Sequence, residues 1–383
     1  MEAIVYCVCG LDVHRDAIES CIMRGFDAEP EILRQSFGTT KPELQRLMNW
    51  LMENDCYTVA MESTGVYWRP IYQILETESI YLEKIWVVNA YHMRNVPGRK
   101  TDVKDAEWIA NLLRHGLLEK SFVPAIDIRD LRETARLRRT FVQERSRYIN
   151  RLEKFLQAHG FKFSTVMSDI MCKSGRKLLN ILCKTGTLTE KDVQENCRRL
   201  RRTSDEIAAA VCGNLTAAER RILKRLLRKL DSCQEDIDAI LQDMRLLCAP
   251  FQEQVAIIDS IPGFDQESAM EIVAEISAAP QEHFDTPQKL CKWAGVIPRN
   301  DESAGKLKSR KTLHGNKYVK SILCQAAWAA VKVRGSPFHT WFWSHQRKIG
   351  QKKAIIAISR KLLMLIYLLL DSGQMYAPPN KAA

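Results

Sequence analysis

Four features are missing from this sequence of 383 residues, and each absence excludes a class of protein. There is no run of about eighteen apolar residues. The most apolar stretch, "AIIAISRKLLMLIYLLL" at 354–370, carries Arg360 and Lys361 inside it, so it reads as a core helix and no membrane partner is expected. There is no basic leader either: acidic Glu2 stands at the start, and a secretory signal is not expected. The twelve cysteines include no CxxC pair, which argues against both a zinc site and a disulfide framework. Cys7 and Cys9 fall on one face of a strand, where free buried thiols are the expectation. A reducing, cytoplasmic compartment follows. The fourth absence is a nucleotide loop: Gly305 and Lys306 have no upstream glycine, and Leu307 stands where a hydroxyl would hold magnesium.

What is present is charge, unevenly placed. The net charge is +11, yet residues 1–120 hold 13 Lys+Arg against 18 Asp+Glu. Residues 121–250 hold 26 against 17, and residues 251–383 hold 18 against 11. An acidic front end is thus joined to a strongly basic remainder, which fits a polyanionic partner, nucleic acid first. At 46% hydrophobic content the chain can bury a good core, but its length exceeds what a single core usually fills.

The order of patterns gives the fold class, α/β followed by α. "AIVYCVCGLDV" (3–13) is a β-rich run, "AIESCIMRG" (17–25) its hairpin partner, and "EILRQSFG" (31–38) a third strand. "KPELQRLMNWLMEN" (41–54) has helical spacing. Strand "YTVAMES", helix "VYWRPIYQILETE", strand "IYLEKIWVVNA" and helix "TDVKDAEWIANLLRHGLL" complete a sheet domain at 1–122. Residues 123–252 form a helical, coiled-coil-like region rich in Arg and Leu, with Arg138, Arg145 and Arg151 as candidate nucleic-acid contacts. Residues 253–371 form a mainly helical third unit, and 372–383 read as a tail. The third unit opens with "IDSIPGFDQESAMEIVAEI", a helix, a Pro-Gly turn and a helix whose first amides are a weak candidate for a phosphate. It continues into a polar, basic loop with Lys306, Lys308 and Arg310, then Lys311, Asn316 and Lys317, as further candidate nucleic-acid contacts.

Carboxylates arrive from separate elements of the sheet domain. Asp12 closes the first strand and Glu62 the fourth. Asp102 and Asp105 extend the apolar stripe of the last helix, four residues before Ala106 and Ile109 respectively. Converging acids repel one another unless a cation lies among them. Hard oxygen ligands suit magnesium (Mg2+) or manganese, and such sites serve phosphoryl transfer.

"GLDVHRD", "AMESTGVYWRPI" and "GRKTDVKDAEWIANLL" resemble the N-terminal DEDD domain of the insertion sequence 110 family of transposases, a RuvC-like, ribonuclease-H-type mixed-sheet fold. "IPGFDQESAMEIVAEI", "WAGVIPRNDESAGKLKSRKTLHGNKYVKSILCQAAW" and "KAIIAISRKLLMLIY" resemble the C-terminal transposase domain of that family. The resemblance covers nearly the whole chain and is weakest between about 160 and 250. It implies a bacterial recombinase that excises and inserts a mobile element on double-stranded DNA, guided by a structured RNA, and working as a homo-dimer or tetramer. Its DEDD positions fall on Asp12, Glu62, Asp102 and Asp105, and its catalytic serine falls on Ser303. This chain reads "SAG" where the family often has Ser-Gly, with Ala304 intervening, and the residues alone leave Ser303 and Ser309 equivalent. The alternative reading is a metal-dependent nuclease of junction-resolvase type, which needs the four acids, attacks with water and forms no covalent intermediate.

Overall fold

The computed structural model describes residues 2–63, 65–77, 82, 84–89, 105–197, 202–299, 301–303, 306–309 and 311–378. Two compact units divide the chain, Met1–Val123 and Pro124–Ala383.

The first unit is a mixed sheet. β1 (Cys7–Val13), β2 (Ala17–Arg24) and β3 (Glu31–Gly38) run antiparallel; α1 (Lys41–Glu53), β4 (Thr58–Glu62), α2 (Trp68–Thr77), β5 (Lys84–Val88) and α3 (Asp105–Arg114) follow. The five strands lie in the order β3-β2-β1-β4-β5. β4 is parallel to β1 and β5 is parallel to β4, because α1 and α2 carry the chain back between them.

Strand alternation sorts the side chains into two layers. Cys9, Leu11 and Val13 of β1 and Val59 and Met61 of β4 pack with Leu44, Leu47 and Leu51 of α1 and with Ile71 and Leu75 of α2. Each such buried side chain contributes about 1.5–3 kcal/mol. Val8 of β1 and Ala60 of β4 turn the other way, onto Ala106, Ile109, Ala110 and Leu113 of α3. Gly10 lies on that second face. A Cβ there would stand 2.2 Å from the Ala106 carbonyl oxygen and 2.5 Å from the Ala110 nitrogen, so glycine is what lets α3 seat directly on β1.

The second unit is helical. It comprises α4 (Ile126–Ala158), α5 (Phe163–Val166), α6 (Lys173–Thr185), α7 (Glu190–Asn196), α8 (Ser204–Val211), α9 (Ala217–Leu247), α10 (Gln252–Asp259), α11 (Gln266–Ile276), α12 (Pro287–Trp293), α13 (Lys317–Ala330), α14 (Pro337–Ile349) and α15 (Gln351–Ser372). Two-residue strands β6 (Thr187–Leu188) and β7 (Gly213–Asn214) pair with each other, and β8 (Asp301–Ser303) pairs with β9 (Lys306–Ser309). Helices α4 and α9 pack along one another. α4 buries Ile128, Leu131 and Ala135 near its start and Leu152 and Leu156 near its end, and nothing between Arg136 and Arg151 is buried. α15 buries Ala354, Ile355, Ile358, Leu362, Leu363, Ile366 and Leu370 on one stripe, which is why so apolar a helix belongs to the core. Among the described residues no helix is long and apolar enough to cross a membrane.

Candidate active site

The site is a consequence of period two. In β1, residues 8, 10 and 12 share the face that meets α3; in β4, residues 60 and 62 do so. Asp12 and Glu62 are therefore the next positions beyond a buried patch, on adjacent strands paired in parallel through Leu11 and Met61. Asp105 begins α3, immediately before buried Ala106. The close seat at Gly10 brings that helix start over the end of β1.

The electrostatics record the convergence. Burial pushes the Asp12 carboxyl above its ordinary value; His14 opposes this, and the neighbouring charges of Asp105 and Glu62 reinforce it. The side chain of Asp12 is 17% exposed, and its Oδ2 lies 3.1 Å from His14 Nε2. Asp12 thus sits near acids of its own sign on the face that α3 covers. Among the described residues no three His, Cys, Asp or Glu side chains are gathered closely enough to count as a complete metal-binding group. The fourth acid, Asp102, lies outside the described residues. The donor chemistry still fits a hard divalent cation: oxygen ligands only, partly buried.

The serine segment belongs to the second unit. Ser303 is the last residue of β8 and stands opposite Lys306 in the register; Glu302 stands opposite Leu307 and Asp301 opposite Ser309, with an irregularity between Asp301 and Glu302. Lys308 lies in β9. The Ser309 Oγ accepts the backbone N–H of Lys311 at 3.2 Å, a turn-type bond. Lys311 is exposed, and Arg310 lies outside the described residues.

The remaining basic and polar candidates part company. Arg151 is exposed, with its guanidinium 4.9 Å from the centre of the Tyr148 ring. Arg145 is half-buried, and its Nε has no hydrogen-bond partner among the described residues. Lys317 is exposed, with its ammonium 5.1 Å from the Tyr318 ring centre. Arg138 is spent within the molecule: it binds Glu267 through Nη2 and Glu271 through Nη1 at 2.9 Å, and its side chain is 13% exposed. Asn316 is the N-cap of α13, where its Oδ1 accepts the N–H groups of Tyr318 (2.8 Å) and Val319 (3.2 Å). The Pro262–Gly263 turn is also committed internally. Asp265 caps α11 by accepting the Ser268 N–H at 2.8 Å, so the helix supplies its own anion, and Gly263, at φ +101°, is pressed against α13.

Sequence reasoning passed over two groups. His14 lies two residues beyond Asp12, a spacing that places both on one side of a strand end. Glu275 lies in the apolar run "EIVAEI" and is 2% exposed. Arg136 binds it twice, Nε to Oε1 at 2.7 Å and Nη2 to Oε2 at 2.8 Å, and Asn316 Nδ2 donates to Oε2 at 2.7 Å. Arg132 donates to the carbonyl oxygens of Ala274 (2.9 Å) and Glu275 (2.7 Å). A single charge inside an apolar helix is the signal that was available.

Residues 9–160 match a DEDD family model of IS110 type, described as a transposase. Residues 255–341 match a second model, described as Transposase IS116/IS110/IS902 family. No curated protein matches the chain. The first match begins inside β1 and takes in Asp12, Glu62 and Asp105; the second contains Glu275, Ser303 and Asn316.

Proposed function

The chain belongs to the IS110 family of transposases, and we propose that it cuts and rejoins the DNA of its own mobile element with a divalent cation held by Asp12, Glu62, Asp102 and Asp105 and with Ser303 as nucleophile, guided by a structured RNA. The observation that carries the reading is that Asp12 and Glu62 end adjacent parallel strands on the face where α3, opened by Asp105, is seated, in a chain whose net charge is +11. Like charges brought together in a protein that handles a polyanion are a poor design for binding and a good one for holding cations against a phosphate. The strand order β3-β2-β1-β4-β5, with a helix seated over the end of β1, supports the ribonuclease-H-type reading of the first unit.

A bound magnesium ion would stabilise the charge that gathers on the phosphoryl oxygens. The chain's own residues do the rest. The Ser303 Oγ attacks phosphorus, an Oγ–P bond forms, and one sugar P–O bond breaks. The serine proton passes to a general base of carboxylate type, and the departing sugar oxygen takes up a proton. Lys306, Lys308 and Arg310 supply positive charge to the same phosphate. Bond energy is kept in the phosphoserine, so a second strand's hydroxyl can displace the serine and rejoin without an external energy source. DNA is the partner that a transposase requires; guide RNA and assembly into a dimer or tetramer belong to the proposal.

The test is denaturing electrophoresis of end-labelled DNA carrying the element ends, after incubation with protein, flanking-sequence RNA and magnesium. The parent protein and Ser309→Ala give a slowly migrating covalent adduct; Ser303→Ala gives none and still binds the DNA. Free cut ends without adduct from the parent protein would overturn the serine step and leave the water-using nuclease.

A further inference from the structure

Between Ser303 and Leu370 the sequence contains fourteen Lys and Arg and no Asp or Glu. Three of the eight tryptophans of the chain, Trp328, Trp341 and Trp343, fall inside this acid-free segment. The fold treats them differently. Trp341 is occupied by its own chain: His345 stacks on it at 4.3 Å with 9° between the planes, and the Lys361 ammonium lies 4.2 Å from its ring centre. Trp328 and Trp343 are 42% and 55% exposed.

Helix geometry explains the exposure. α13 buries Val319, Ile322, Leu323, Ala326, Ala327 and Ala330, and Trp328 falls off that stripe. α14 buries only Phe338 and Phe342, which leaves Trp343 on its open flank. Phe342 stands between the two indoles, 5.9 Å from Trp328 and 5.6 Å from Trp343, edge-on to both. Val333, just past α13, is also exposed. Four residues after each indole comes an exposed cation, Lys332 just past the end of α13 and Arg347 within α14. Arg334 and Lys348 are exposed beside them.

We propose that Trp328 and Trp343, propped by Phe342 and flanked by Lys332 and Arg347, form a stacking platform for an unpaired nucleic-acid strand. A large aromatic area left in water is costly and asks for a cover. A second copy of the same face would bring like charges together, so a self-complementary contact is opposed. Duplex DNA would satisfy the cations and leave the indoles unused, because its base faces are already stacked on each other. An unpaired strand offers both surfaces, a phosphate chain for the cations and free π-faces for the rings. The inference rests on the reading that this protein handles nucleic acid and is independent of the acid cluster and of Ser303.

The probes are fluorescein-labelled oligothymidylate and oligouridylate of about twenty nucleotides and a duplex of equal length. Binding to the full chain is followed by anisotropy over a range of salt. Trp328→Ala/Trp343→Ala weakens both single strands about tenfold and duplex binding less than about twofold, with the salt slope unchanged. Lys332→Ala/Arg347→Ala lowers the slope by about one to two. Trp343→Phe keeps a ring and keeps most of the affinity. Should the double alanine variant lose its melting transition, a bromodeoxyuridine-substituted strand crosslinked to the parent protein decides the matter: adducts map to residues 326–349. Equal loss on duplex and single strand, crosslinks confined to other segments, a concentration-dependent dimer abolished by the tryptophan changes, or binding to anionic vesicles with none to oligonucleotide each overturns the proposal. A failure here leaves the covalent-adduct result untouched.

Discussion

Two carboxylates, Asp12 in the sheet unit and Glu275 in the helical unit, are treated in opposite ways. Asp12 is partly buried among charges of its own sign, with His14 in opposition. Glu275 is almost fully buried and has Arg136 across both its oxygens and Asn316 on one of them. A buried acid that is fully partnered holds helices together. One set among other acids gains nothing for the fold, and its placement makes sense as readiness for a cation.

Removing the carboxylate of Glu275 gives the largest expected effect. Glu275→Ala leaves the Arg136 guanidinium facing a buried void, and breaking such a pair costs about 3–5 kcal/mol. Thermal or urea unfolding of the variant reads this directly. The Asn316 cap of α13 loses its partner at the same time. An unfolding midpoint unchanged from the parent would show that Glu275 does not hold α11 to α4. Next comes Gly10→Ala, which sets a Cβ against the backbone of α3, where no side chain can give way. Overpacking of this kind costs about 1–3 kcal/mol. Because α3 carries Asp105, metal-dependent cleavage falls by more than the stability loss explains. Retained full cleavage in a folded variant would sever the link between the close seat and the site.

Asp12→Asn has the opposite sign. The fold raises this carboxyl above its ordinary 3.8, so the folded state binds the proton more readily than the unfolded state. Its contribution to stability therefore declines as pH climbs from the ordinary value through the raised one, and is unfavourable at neutrality. Asparagine removes that loss: without added metal the variant melts level with the parent or up to about 2 °C above it at neutral pH. Magnesium raises the melting temperature of the parent and does much less for the variant. Equal responses to magnesium would show that the acids form no cation site.

The acid side of the contrast was legible in the sequence, and the Glu275 side was not. Asp12 and Glu62 read as strand-end acids from their apolar runs, and helical spacing turns Asp105 toward the sheet; both are local rules. Within the five-stranded sheet β3 carries the weakest signal, because it lies at the sheet edge and is largely half-exposed, so its apolar alternation is blurred. Nothing local announces that Arg138 meets Glu267 and Glu271, more than a hundred residues away, or that Arg136 meets Glu275. An arginine on a long helix looks the same whether it faces solvent or an acid on another helix. The role of Asn316 was hidden for a related reason: its Nδ2 partner, Glu275, lies 41 residues away.

The smallest effect separates the two kinds of arginine on α4. Arg151 is exposed and rests beside Tyr148, so Arg151→Ala changes stability by no more than about 0.5 kcal/mol. If it contacts a phosphate, its loss weakens RNA and DNA binding uniformly across sequences and lowers the salt slope by about one. Arg138→Ala strips Glu267 and Glu271 of their cation and costs about 1–3 kcal/mol, with no change in the salt slope. The two variants therefore exchange their effects: one moves the slope and leaves the melting curve in place, the other does the reverse. Measured side by side by urea unfolding and by binding to a fixed RNA over a range of salt, they ask whether α4 offers its middle to a nucleic acid. A slope that falls with Arg138→Ala and stays with Arg151→Ala would mean that the Arg138 pairs open on binding, and that the exposed arginine is only solvated.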